Sequence, residues 1–155
     1  MANKEIKFGL REGRGTGKEY PVAANQYFHN RGGRFVYLDA GNVTLAASDT
    51  TTIMGWADAP KQASGYQAWK SSSTAEKDKV FVVTNLDGVF ELPWDNSLGA
   101  SLAASLIGAG VGLNNSGSTY TTKQLARYGA TATPLKLVDV DTENTTAFVR
   151  IKNKQ

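Results

Sequence analysis

Residues 80–94 read VFVVTNLDGVFELPW, and this stretch decides the fold class. It opens with a β-branched apolar run, breaks at Leu-Asp-Gly, and resumes over 89–92 with alternate side chains on opposite sides of a pleat. The pattern predicts two strands joined at a kink around Gly88, the second of them half-buried. Pro93 has no N–H to donate, so the second strand must stop there or lie at a sheet edge.

Similar short runs, separated by turn-forming residues, recur along the chain at the interval typical of a barrel or sandwich. They lie at 34–38, 43–46, 51–57, 107–113, 120–127, 134–141 and 145–152. Three leucines spaced by four residues between 98 and 106, behind capping residues at 95–97, predict one short helix or helical turn. Glycine at every second position of 108–112 leaves one strand face nearly bare, which lets another backbone or a large aromatic lie close.

The N-terminal residues 4–11 alternate, with Ile6, Phe8 and Leu10 on one side, and glycines at every second position of 13–17 then suggest a hinge. Two interpretations stay open. Residues 1–19 form an extended arm with a Gly-rich tether in front of a β domain over 20–155, or residues 4–11 form the first strand of the domain's own sheet. Burying the three apolar side chains contributes about 1.5–3 kcal/mol each, so they decide where the segment docks. Docking on another subunit would be strand addition.

The fold class predicted from these patterns is all-β: a small β-barrel or sandwich with one short helical segment and an extended N-terminal arm. The chain of 155 residues suits one domain with a real core, and it has no cysteine for disulfides. No run approaches the ~18 apolar residues of a membrane span, and no apolar leader is present, so we expect synthesis in a cytoplasm and no membrane partner.

The formal net charge of +3 is placed unevenly. Residues 1–34 hold seven basic and three acidic side chains, which leaves the remainder of the chain at −1. Because acids interleave with the bases, the segment is better suited to solvent or to a protein partner than to phosphate. We expect no nucleic-acid partner.

The residues give little basis for a reaction centre. His29 is the only histidine and falls in a strand-end or loop context. The acids of 139–143 resemble the start of a calcium loop, but Asn144 and Arg150 stand where that loop needs Gly and Glu. The glycines of 13–17 match neither a phosphate loop nor a dinucleotide fingerprint. We therefore expect no enzyme, no catalytic residue, no cofactor and no metal.

The tryptophans are the remaining feature. Trp56, Trp69 and Trp94 could form a stacking platform for sugars or bases together with nearby tyrosines. The interpretation we favour makes two of them core or subunit-interface anchors. A nucleic-acid-binding barrel should carry its basic residues among these aromatics, whereas here the positive charge lies before residue 35.

With this strand order in place, residues 35–152 resemble the capsid decoration (cement) proteins of tailed bacteriophages. The resemblance rests on five segments: VTLAA at 43–47, IMGWA at 53–57, LDGVFELP at 86–93, the Ala/Leu-rich 98–104, and TAFVRI at 146–151. The longer 98–113 region and the basic segment 1–34 depart from the family pattern.

The resemblance implies a structural virion protein on the capsid exterior that joins neighbouring subunits of the major capsid protein, often as a homotrimer. The residues assigned to shell attachment are Ile6, Phe8, Leu10, Arg11 and Arg14, and the candidate interface aromatics are Trp56, Trp69 and Trp94. A glycine-linked segment with modest contacts suits such a lattice, because several simultaneous contacts multiply affinity. The alternative is a carbohydrate-binding β module on a virion or cell surface.

Overall fold

The computed structural model describes residues 8–13, 15–60, 68–85, 87–97, 100–117 and 119–155, and within these ranges the chain is all-β, as predicted. The strands are β1 (Gly9–Glu12), β2 (Gly17–Pro21), β3 (Tyr27–Phe28), β4 (Phe35–Asp39), β5 (Asn42–Leu45), β6 (Gly55–Asp58), β7 (Trp69–Lys70), β8 (Lys79–Val83), β9 (Val89–Pro93), β10 (Gly110–Ser116), β11 (Lys123–Arg127), β12 (Leu135–Asp141) and β13 (Thr146–Ile151). Two 3₁₀ turns lie at Ala104–Leu106 and Thr119–Thr121.

The strands form three antiparallel sheets. The larger has six strands in the order β1-β9-β13-β12-β10-β11, the second has five in the order β2-β8-β6-β4-β5, and β3 pairs with β7 in a small third sheet. The six-stranded sheet curls, because Trp94, just after β9, forms a parallel bridge with Ala126 on the strand at the far edge. The N–H of Asp95 donates to the Ala126 carbonyl at 2.9 Å.

The stretch 80–94 is the place where the chain passes from one sheet to the other. β8 lies in the five-stranded sheet and β9 in the six-stranded sheet, so the predicted kink is a crossing. A Cβ on Gly88 would lie 3.2 Å from the ring of Phe90, which leaves little room for a larger residue at the crossing. β9 ends at Pro93, as its missing N–H predicts.

The N-terminal segment makes the same crossing in the opposite direction. β1 pairs with β9 and β2 pairs with β8, so the segment borders both sheets. The prediction of a separate extended arm is therefore wrong for the described strands, and the alternative of a strand in the domain's own sheet holds for β1. The glycines of 13–17 were expected to form a hinge, but Gly17 instead allows two strands to pack closely. A Cβ on Gly17 would lie 1.8 Å from the Val82 carbonyl oxygen. Residues 1–7 lie outside the described residues.

The two large sheets share one core. Phe35 and Trp56 from the five-stranded sheet meet Phe90 from the six-stranded sheet, with ring centroids 4.9 to 5.6 Å apart. Other buried members of this core, mostly from the six-stranded sheet, are Leu92, Trp94, Val111, Leu113, Ala126, Leu135, Leu137, Ala147 and Val149. Alternation along the strands then sends the neighbours of Phe35 and Trp56 to the opposite face.

That opposite face of the five-stranded sheet is covered by a second apolar cluster. It contains Val36, Ala57 and Val82 from the sheet, and its cover includes Phe28 and the half-buried Trp69. These two rings stack at a centroid distance of 5.9 Å. The central strands of the five-stranded sheet, β8, β6 and β4, are therefore covered on both faces, whereas β2 at its edge is largely exposed.

A buried glutamine joins the two large sheets. Gln124 on β11 is 1% exposed, and its Oε1 accepts from the Phe35 N–H at 2.8 Å. Its Nε2 donates at 2.9 Å to the carbonyls of Phe35 and Ala46. The side-chain amide thus takes the place of a neighbouring strand. A Cβ on Gly33 would come within 2.6 Å of Oε1, so only glycine fits beside it.

Across the described residues 95–97 and 100–106, the predicted helix is reduced to one turn. Helical structure in this region is the single 3₁₀ turn Ala104–Leu106, and Ala103 before it is extended at φ −153°. Side-chain hydrogen bonds hold the preceding loop, because Asn96 Oδ1 accepts from the Leu102 N–H at 3.1 Å. β10 starts later than predicted and runs on to Ser116, through residues expected to form a turn. Its bare face does receive another backbone: a Cβ on Gly112 would lie 2.1 Å from the Ala132 carbonyl.

Candidate interaction surfaces

The residues predicted to attach to a shell lie mostly within the domain. Phe8 and Leu10 are half-buried and pack against the shared core. Arg11 lies on the outer face of the six-stranded sheet, with about a third of its side chain exposed. Of the three described residues, two face the core and one faces outward, so they do not form one surface; Ile6 and Arg14 lie outside the described residues. Their role in attachment stays a prediction.

Arg11 is held by a buried carboxylate. Its Nε donates to Glu91 Oε1 at 2.7 Å, and Thr146 Oγ1 donates to Glu91 Oε2 at the same distance. Glu91 is 6% exposed, and Val89, Phe90 and Leu92 are also buried, so the prediction of a half-buried strand here is wrong. A buried carboxylate is costly unless it is paired and hydrogen-bonded, and both partners supply that compensation.

A shallow groove of about 330 Å³ runs beside this ion pair. Its lining residues are Arg11, Glu12, Val89, Val138, Asp139, Phe148 and Arg150. The pairing of β1 with β9 shifts register between Leu10 and Glu12, and the pairing of β12 with β13 shifts register between Leu137 and Asp139. Each β-bulge adds a residue that lines the groove, since bulges re-aim side chains. The outer face of this sheet is therefore mixed, with apolar residues between charged ones.

Two of the three candidate interface tryptophans belong to the core. Trp56 is 6% and Trp94 is 4% exposed, and the Trp94 Nε1–H donates to the Ala100 carbonyl at 3.1 Å. Trp69 is half-buried against Phe28. The core-anchor interpretation accounts for Trp56 and Trp94. Because both side chains are buried, neither is accessible to a partner. The structure does not assemble the three tryptophans into one platform.

The exposed large apolar side chains lie elsewhere. Ile107, Tyr120 and Tyr128 are each about two-fifths exposed. Tyr120 packs edge-on against Tyr27 with ring centroids 5.3 Å apart, and Lys70 Nζ lies 5.8 Å from the Tyr27 ring centroid. Sequence patterns carried no signal for the Tyr27–Tyr120 pair, because Tyr27 on β3 and Tyr120 in the second 3₁₀ turn lie far apart in the chain.

Two polar residues singled out from the sequence, His29 and Asp141, form hydrogen bonds within the fold. His29 follows β3, is buried, and accepts the Arg31 N–H on Nδ1 at 3.0 Å. Asp141 lies at the last hairpin turn, where the Asn144 side chain and N–H donate to it and lower its pKa. Across the described ranges, no group of three or more His, Asp or Glu residues could hold a metal ion.

A buried acid marks the place where the six-stranded sheet curls closed. Burial alone would raise the pKa of Asp95, but hydrogen bonds from Ser97 and Asn114 and the nearby Arg127 guanidinium outweigh it, so the pKa lies below its ordinary value. The Ser97 N–H donates to Oδ1 at 2.9 Å, and Asn114 Nδ2 donates to Oδ2 at 2.7 Å. This carboxylate ties the loop after β9 to β10.

A second concavity, of about 220 Å³, is lined by Tyr37, Asp49 and three consecutive threonines, 50–52. An aromatic ring beside a carboxylate and hydroxyls is the chemistry that recognises a sugar. In the described part of the chain the Asp49 side chain makes no hydrogen bond or ion pair, so it is available to a ligand.

Comparison of the chain with protein-family models, curated proteins and solved structures finds no match. Among the helices of the described residues, none is long and apolar enough to cross a membrane.

Proposed function

We propose that this chain is a structural virion protein that binds the outside of a phage capsid shell and braces neighbouring major capsid subunits. The observation that carries the proposal is the position of the segments that resemble capsid decoration proteins. VTLAA, IMGWA, LDGVFELP and TAFVRI include residues of β5, β6, β9 and β13. Three of these strands have neighbours on both sides in their sheets, so the resemblance falls mainly on the framework of the domain.

The architecture is suited to bracing. Two sheets share one core, Gln124 ties them together, and two chain segments cross between them. Such a body transmits load without depending on a long flexible element. We propose that the protein acts as a homotrimer at a local three-fold position on the shell exterior, with the N-terminal segment contributing to attachment.

The test is co-sedimentation with expanded capsid shells of the phage that encodes the chain, stripped of decoration. We expect saturable binding at a fixed copy number per major capsid subunit, and shells that resist heat better once bound. A variant lacking residues 1–7, which retains the sequence of β1 and of every later strand, is expected to lose occupancy. Absence of wild-type binding at any ratio would rule out the function, and unchanged occupancy of the shortened variant would remove only the attachment role of that segment.

A carbohydrate-binding module is the second candidate, and the Tyr37 concavity favours it. Glycan-array binding that is lost in Tyr37→Ala and kept in Tyr128→Ala would support it, because Tyr128 is exposed away from this concavity. A protein that binds glycans and ignores shells would replace the first proposal with this one.

A further inference from the structure

Three cations meet on the outer face of the six-stranded sheet. Lys136 on β12 stands directly opposite Arg150 on β13 in the antiparallel ladder, and both are exposed. Lys152 follows β13, and its Nζ lies 3.1 Å from the position a Cβ on Gly110 would take. Gly110 is the partner of Lys136 on the next strand, so the three side chains lie within two strand spacings, about 10 Å. We call them the cationic stripe.

The fold itself gives no reason for this arrangement. Like charges directly opposite each other on neighbouring strands are destabilising. In the described residues the ion pair is Arg11 with Glu91, and no member of the stripe has a carboxylate within ion-pairing distance. Alternation requires only that these positions be polar, which serine, threonine or glutamine would satisfy. Gly110 adds to the pattern, since its missing side chain leaves the space that Lys152 Nζ occupies.

A ligand that supplies negative charge would turn this repulsion into attraction. We propose that the cationic stripe is the docking site for an acidic segment of a partner protein. The inference deepens the proposed function and rests on it for the partner's identity, which would then be the major capsid protein. Carboxylates are the complementary groups, and each would replace water around an otherwise unpaired cation.

The surroundings of the stripe favour a protein over a nucleic acid. Glu12 and Asp139 line the groove next to Arg150, so a bound chain cannot carry negative charge onward past the stripe. Phosphates follow one another along a nucleic acid without a break, whereas a peptide can place carboxylates over the stripe and uncharged side chains over the groove. Between the two acids lie Val138 and Phe148, both half-buried, which offer apolar contact to side chains of a peptide. Mixed charge around an apolar centre is the composition of a protein-binding surface.

The experiment uses the full chain and a matched control. The stripe variant is Lys136→Gln/Arg150→Gln/Lys152→Gln, and the control variant is Lys77→Gln/Lys79→Gln/Lys123→Gln, which removes the same charge from exposed positions elsewhere. The probes are a fluorescent peptide of glutamates followed by apolar residues and a short DNA duplex, titrated by anisotropy. We expect the stripe variant to bind the peptide about tenfold more weakly, the sum of three modest exposed contacts, and the control variant to change far less.

Equal loss in the two variants would overturn the inference, because it would reduce the effect to net charge. Stripe-dependent binding that prefers the duplex over the peptide would overturn it in favour of a nucleic acid. The single variant Lys136→Gln adds a readout that misfolding would not mimic: removal of the repulsion should raise the melting temperature while peptide binding weakens. A lower melting temperature in Lys136→Gln would contradict the repulsion between Lys136 and Arg150 on which the inference is built.

Shell co-sedimentation separates this inference from the proposed function. If wild type and control variant bind shells and the stripe variant does not, both are supported. If all three bind shells equally, the inference is overturned while the function stands. If none binds shells but peptide binding still depends on the stripe, the function fails and the acidic-partner site is supported.

Discussion

The two large sheets differ on the faces that they turn away from their shared core. The outer face of the five-stranded sheet lies under a second apolar cluster with Phe28 in it, whereas the outer face of the six-stranded sheet carries Arg11, Arg150 and a groove open to solvent. A sheet whose central strands are covered on both faces contributes mainly to the stability of the fold. A sheet with one charged, solvated face is free to meet a partner, which is why the docking site that we propose lies on the six-stranded sheet.

The largest expected effect tests this division directly with two phenylalanines. Phe28→Ala should lower the free energy of unfolding by about 3–5 kcal/mol, because its ring is fully buried in the second cluster. Phe148→Ala, on the open face, should cost about 1–2 kcal/mol, because its ring is only half-buried. Chemical denaturation with circular dichroism measures both. Equal losses would mean that the open face is as much a core as the covered one.

A smaller loss of stability is expected where a side-chain amide joins the two large sheets. Gln124 and Gln155 both clamp a residue of β4 with a side-chain amide: Gln155 accepts from the Leu38 N–H at 2.6 Å and donates to the Leu38 carbonyl at 2.8 Å. Gln124→Leu should cost about 2–3 kcal/mol, because the buried Phe35 N–H loses its partner. Gln155→Leu should cost under about 1 kcal/mol, because water replaces an exposed hydrogen bond.

The same denaturation experiment decides this second pair. A Gln124→Leu protein as stable as wild type would show that the two sheets do not depend on the amide bridge. A large loss in Gln155→Leu would show that the chain after β13 contributes more to the five-stranded sheet than its exposure indicates.

The smallest effect concerns pH at the closure of the six-stranded sheet. The lowered pKa of Asp95 means that its carboxylate stabilises the fold above the ordinary aspartate pKa of about 3.9, and this stability is lost as pH falls through the lowered folded value. Asp95→Asn should therefore melt earlier at pH 6 and show a smaller further drop between pH 5 and pH 2. Melting curves across that range supply the measurement. An acid-induced drop of undiminished size in the variant would assign it to other carboxylates.

Local patterns predicted the elements whose partners are near in sequence. The alternation over 134–152 with a short polar break predicted the β12–β13 hairpin, and turn formers at 39–42 predicted the break between β4 and β5. These hold because the turn residues and the period-two pattern act within a few positions. The all-β class follows from the same signals.

Long-range features were beyond these patterns. The sequence showed a kink at 86–88, but a sheet change there depends on where β1 and β2 pair. Glu91 reads as an exposed position, and it is buried because a bulge on β1 brings Arg11 over it. The leucine spacing at 98–106 favoured a helix, yet the hydrogen bond from the Leu102 N–H to the Asn96 side-chain oxygen and the extended Ala103 keep residues 100–103 out of a helix. The cationic stripe likewise needs the ladder register, which sequence spacing does not supply.

Because one segment, residues 9–21, closes an edge of both large sheets, its detachment would uncover two strands at once. The amides of β8 and β9 that face this segment should then exchange with deuterium as a single unit, although they belong to different sheets. This segment would then be a single site of local unfolding shared by the two large sheets. A partner that covers it would slow hydrogen exchange in both sheets.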